Sequence, residues 1–144
     1  MFAVGTGQWA KFSAGARGEA DLYYFTHAPP HDGSSYRGAY HVAEIAHTFD
    51  NVHFSKHFRY AEDARNLADT IANYWLNFAK TGNPNGEGPP KWSHYDQQNE
   101  YYVVLENRVE ARQHLLKVRL DLLETARWAD DIREQDRLTC GPSV

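Results

Sequence analysis

Cysteine is nearly absent: the 144 residues hold one, Cys140, beside Gly141 and Pro142. A single cysteine excludes an intrachain disulfide and a cysteine-based zinc knuckle, and Cys140 reads as a tail thiol without a role. Long apolar runs are missing too. None approaches the roughly 20 residues that span a bilayer, so no membrane segment is indicated. The opening Met1-Phe2-Ala3-Val4-Gly5-Thr6-Gly7 lacks the basic start and apolar stretch of a signal peptide, which leaves the compartment open. Neither sign of charge dominates: 15 Lys and Arg stand against 19 Asp and Glu, for a net charge of −4, mixed along the chain. With neither a basic stripe nor an acidic tail, nucleic acid is not an indicated partner. Internal repeats and low-complexity segments are absent as well.

Apolar and aromatic material is plentiful. Hydrophobic residues make up 42% and aromatics 14%, enough for one domain with a real core. The aromatics cluster at Tyr23-Tyr24-Phe25, at Tyr74, Trp75 and Phe78, and at Tyr101-Tyr102. They are expected to be core, or the wall of a large pocket.

Trp9 and Phe12 share a helical face in the segment 6–16, which stops at Gly15 and Gly18. The run 21–27 is aromatic-rich and closed by Pro29-Pro30, so it predicts a buried strand. Residues 31–37 are a polar loop, and 38–49 form a loop that tips into a short helical turn. The strongest helix covers 60–81. There Ala64, Leu67, Ala68, Ile71, Trp75, Phe78 and Ala79 build one apolar stripe. Glu62 and Asp63 suit its start, and Lys80, Gly82 and Pro84 its end. A turn-rich connector leads to a second strand at 101–105. A final helical pattern covers 111–135, with Leu116, Leu120, Leu123 and Ala126 on one face, either a core stripe or a partner-binding face. The charged residues at its end are most simply solvated. Residues 139–144 read as a frayed tail. Two strands separated by about 75 residues make a poor sheet alone, so further strands are expected outside this chain.

Eight histidines are present. His53 and His57, and His27 and His31, are spaced by four. The second pair is broken by Pro29 and Pro30, and neither has an evident third ligand, so exposed histidines are the reading and no metal is assigned. His41 taken alone is more often a surface or core residue than a base.

The run Gly38-Ala39-Tyr40-His41-Val42-Ala43-Glu44-Ile45 resembles the catalytic-histidine loop of type-B carboxylesterases, the family of the cholinesterases and para-nitrobenzyl esterases. That loop has a histidine, then small residues, then a glutamate three positions on, followed by Ile and an aromatic residue. Leu22-Tyr23-Tyr24-Phe25 is similar to the strand before it. Tyr74-Trp75-Leu76-Asn77-Phe78-Ala79-Lys80-Thr81-Gly82-Asn83-Pro84-Asn85 is similar to the late helix and exit turn. Trp92, Tyr95 and the 101–105 strand continue the likeness, to about Glu124. The resemblance implies an α/β fold: the C-terminal part of an α/β-hydrolase. About two sheet strands, a long helix, a short N-terminal helix and a C-terminal helix would lie in residues 1–138, with 139–144 as tail. It implies hydrolysis of a small-molecule carboxylic ester without metal or organic cofactor. His41 would be the general base and acid of a Ser–acid–His triad, and Glu44 would support it near the site.

The chain departs from the pattern in what chemistry needs most. It contains no G-x-S-x-G nucleophile motif and no Gly-rich oxyanion loop. Ser13-Ala14-Gly15 supplies only S-x-G, with Lys11 in place of the first glycine. The stretch that normally carries the triad acid is missing, and Glu44 is not that acid. The expectation is a C-terminal segment inactive by itself. The alternatives are a stand-alone α+β binding or assembly module, or half of a split esterase that pairs with a serine-bearing chain. An open sheet edge predicts self-association or a covering partner.

Overall fold

The computed structural model describes residues 2–16, 18–30, 38–56 and 58–139. In chain order the elements are α1 (Phe2–Gly15), β1 (Tyr23–Phe25), α2 (Ile45–Thr48), a 3₁₀ turn at Val52–Phe54, α3 (Glu62–Thr81), β2 (Tyr101–Leu105), β3 (Glu110–Gln113) and α4 (Lys117–Thr139). Three strands form one sheet in the order β1-β2-β3. β1 runs parallel to β2 with Tyr23 opposite Val103 and Phe25 opposite Leu105. β2 is antiparallel to β3.

The alternation of side chains along β2 explains the layers. Val103 and Leu105 face α3 and pack with Leu67, Ile71, Tyr74 and Trp92. Tyr102 and Val104 face the other way, onto Ala10, Leu22 and Tyr95. The sheet is thus covered by α3 on one side and α1 on the other, the arrangement of an α/β protein. α3 follows its predicted stripe through Ala64, Leu67, Ala68 and Ile71, all buried; Trp75 is half-buried, while Phe78 and Ala79 of the same stripe are exposed. Gly82 closes it in the left-handed conformation (φ 75°), with its N–H donated to the Phe78 carbonyl at 2.8 Å. Beyond it, the Asn85 side chain bonds both the N–H and the carbonyl of Trp92, and the Trp92 indole donates to the Leu22 carbonyl at 3.1 Å. The exit turn is thereby tied back to β1.

Several expectations need correction. The sheet has three strands, not two, because Glu110–Gln113 is a strand where a helix was expected. β2 offers it a row of backbone partners, and left-handed residues His114 (φ 58°) and Leu116 (φ 44°) stop a helix from starting before Lys117. β1 and β2 pair directly despite their separation in sequence. The Leu116, Leu120 and Leu123 stripe is not core: Leu116 lies in the turn, Leu123 is exposed, and Leu120 is half-buried. Trp9 and Phe12 do meet, ring to ring, but on the exposed face of α1; Val4 and Ala10 face inward. Of the aromatic clusters, Tyr74 and Tyr102 are core, while Tyr24 and Phe78 are exposed. α4 reaches Thr139, one residue into the expected tail; Cys140 to Val144 lie outside the described residues.

Candidate functional site

Beyond β1 the chain passes Pro29 and Pro30, and Gly38 adopts a left-handed conformation (φ 61°). A tight turn follows. The Tyr40 N–H donates to Gly38, the Ala43 N–H to Tyr40 and the Ile45 N–H to Val42, all within 3.0–3.2 Å. His41 sits in this turn, exposed, with α2 beginning four residues later. Val42, next to it, has φ 71°. A β-branched residue there is a steric outlier, held by the turn rather than chosen for it.

Glu44 is half-buried and acts toward β1. Burial raises the Tyr23 phenol pKa, and the nearby Glu44 carboxylate raises it further.

α2 is short, and one side chain anchors it. His47 is completely buried. Its ring lies 5.2 Å from Phe25, 5.0 Å from His27 and 5.3 Å from Tyr60, centroid to centroid. The His41 turn therefore leads into a helix fastened at the C-terminal end of β1, where open α/β sheets carry their sites. His27, also buried, has Nδ1 2.7 Å from the Asn107 amide oxygen, and the Asn107 amide donates to Asp63 at the start of α3. Among the described residues no side chain bonds either ring nitrogen of His47; the Ala43 backbone carbonyl is the polar group the ring faces. Burial, then the neighbouring His27, lowers its pKa to about 4; the Ala43 carbonyl, one turn earlier, favours the charged ring but does not offset them.

Sequence reasoning read His27 as an exposed histidine and singled out no role for His47. The available signal for His47 was its place one turn after Ala43 in a segment of small and apolar residues. The separate His53 reading changes partner. His57 and His31 lie outside the described residues, and His53 instead sits 3.7 Å from Asp50. Asp69 brings a donor atom within 4.8 Å of both. His53 and Asp69 are exposed and Asp50 half-buried, so this is a solvated charge cluster. A cavity of about 140 Å³ lies elsewhere, between α1, β1 and α4, near Lys11, Tyr24, Leu120 and Glu124. No residue of the 38–54 segment lines it.

The carboxylesterase family model matches residues 1–123. The chain belongs to the carboxylesterase family. It is 32% identical over 109 residues to human cocaine esterase, a match covering 70% of this chain and 18% of that protein. It is 41% identical over 69 residues to pig liver carboxylesterase, covering 48% and 11%. The chain thus spans less than a fifth of the length of these curated relatives. Among solved structures, an esterase from anaerobic Clostridium hathewayi, described as able to hydrolyse aliphatic aromatic polyesters, superposes with a TM-score of 0.73. That match is 22% identical and covers 84% of this chain and 24% of that one. A PNB esterase gives a TM-score of 0.57 at 26% identity, covering 67% and 19%. The carboxylesterase-family fold is therefore that of an α/β-hydrolase, with the described elements as one part of it. No described helix is long and apolar enough to cross a membrane.

Proposed function

We propose that this chain supplies the histidine-bearing part of a serine-type carboxylic ester hydrolase, with His41 as general base and acid. The observation that supports this best is the exposed His41 turn, set off from the end of β1 and followed by the buried anchor of α2. An imidazole so placed can take the proton of an attacking serine hydroxyl and return it to the leaving alcohol. Glu44, half-buried beside Tyr23, supports the turn and is not the triad acid. The serine, the acid and the oxyanion donors come from outside these residues, and the substrate is a small-molecule ester. Metal and organic cofactors have no part in this scheme.

By itself the chain is proposed to be inactive. Removing one triad member leaves only the residual catalysis of binding and oxyanion hole, and here the hole is missing from the sequence as well. Hydrolysis of a small chromogenic ester by the purified chain is expected at background. Turnover that disappears in His41→Ala would reveal an overlooked nucleophile and overturn this reading.

A further inference from the structure

A fully buried histidine whose ring faces only other rings and one backbone carbonyl needs a reason. An apolar ring would fill the slot between Phe25 and Tyr60 at no polar cost, yet His47 occupies it. His27 is buried against it, and the His27 Nε2 also has no partner. The His47 ring faces the backbone carbonyl of Ala43, inside the turn that carries His41.

We infer that His47 is a positioning residue for His41: neutral, it seats α2 and holds the turn, and on protonation by acid it releases both. The inference rests on the reading of His41 as the catalytic base, because that is what gives the turn a task.

The surroundings decide the direction of the response. Phe25 of β1 offers only a ring. From the segment after β1 comes His27, a second basic group. From the lead into α3 comes Tyr60, kept neutral because burial and the nearby Tyr40 raise its phenol pKa. Asp63, at the start of α3, reaches the pair only through Asn107, which donates to it and in turn bonds His27. Asp50, just past α2, gives the His47 carbonyl a backbone N–H, while its carboxylate lies beside His53. Among these described neighbours no anion meets the His47 ring. A charge placed there has only the Ala43 carbonyl to face, so it leaves the slot and α2 goes with it.

The sign follows. The folded pKa is depressed to about 4 from an ordinary 6.5, so the unfolded or unseated ring binds the proton more readily. The seated state is fully favoured above pH 6.5 and loses ground as pH falls through the interval to about 4. That interval corresponds to a bias of roughly 10²-fold in the seating equilibrium.

The test is an NMR titration of histidine-labelled full-length chain from about pH 7.5 to about pH 4, following ring and backbone signals. The His47 ring is expected to stay neutral well below the ordinary histidine value of 6.5. The amides of 40–49 are then expected to change together with it. The transition should persist in His41→Ala, which separates this inference from the catalytic reading. It should vanish in His47→Phe, whose ring fills the slot and carries no proton. His27→Gln should move the midpoint upward, since it removes the neighbouring basic ring. If His47→Phe fails to fold, the His27→Gln arm decides. A His47 ring that titrates at its ordinary pH while the 40–49 amides stay still would overturn the inference. So would a midpoint that His27→Gln leaves unmoved.

Discussion

Val42, beside His41, is a β-branched residue held in left-handed backbone within the loop. The family pattern sets small residues after the histidine; here a β-branched one adopts φ 71°. Left-handed backbone costs a non-glycine residue of order 1–3 kcal/mol, and Val42 is 44% exposed, so burial offsets only part of that cost. Val42→Gly is therefore expected to stabilise the chain by about 1 kcal/mol, allowing for the greater flexibility of glycine in the unfolded state. Urea unfolding would show it as a higher midpoint with unchanged slope; a lower midpoint would mean that the Val42 side chain makes contacts worth more than the strain. The loop around His41 and its passage into a short helix were legible from the local pattern. His47 was not, because burial is a property of three segments meeting, Phe25, His27 and Tyr60, and no single window of sequence contains them.

Among elements, legibility followed the source of stability. α3 owes its form to its own pattern: an apolar stripe, acidic residues in the first turn, and Gly82 with Pro84 at the exit. Its bounds were read within two residues. β3 owes its form to β2. Residues 110–113 carry alternating polar groups that, viewed locally, continue into the helical pattern of α4. Only the backbone ladder to Tyr101–Val104 makes them a strand. Arg112 and Glu110 then pair on its exposed face at 2.7 Å. The α4 stripe failed for a related reason. A periodicity of leucines gives a face but not its partner, and α1 meets α4 through the half-buried Lys11–Glu124 pair at 3.1 Å rather than through Leu123.

At the scale of the molecule the sheet ends in an edge strand on each side: among the described residues β1 and β3 each pair with β2 alone. Tyr24 is exposed along β1, and Trp9, Phe12, Phe49 and Phe54 are each more than two-thirds exposed nearby or on adjoining elements. An unpaired strand beside exposed aromatics is a template for association. The chain studied alone is expected to self-associate, which light scattering at micromolar concentration would detect. A monodisperse monomer with a sharp unfolding transition would instead favour an independent binding or assembly module. The family fold, the order of elements apart from β3, and the turn at 38–49 were legible in the sequence. The pairing of β1 with β2 across about 75 residues was not, since strand partners are set by packing rather than by local pattern.

The central claim is that His41 is the base of an ester-hydrolysing site completed from outside these residues. Its most direct measurement is ester turnover by a chimera in which residues 1–138 replace the matching segment of an active carboxylesterase. With His41 present the chimera should hydrolyse a chromogenic ester. His41→Ala should lower kcat by roughly 10³-fold or more while the chimera stays folded. A folded His41→Ala chimera that keeps its activity would contradict the account.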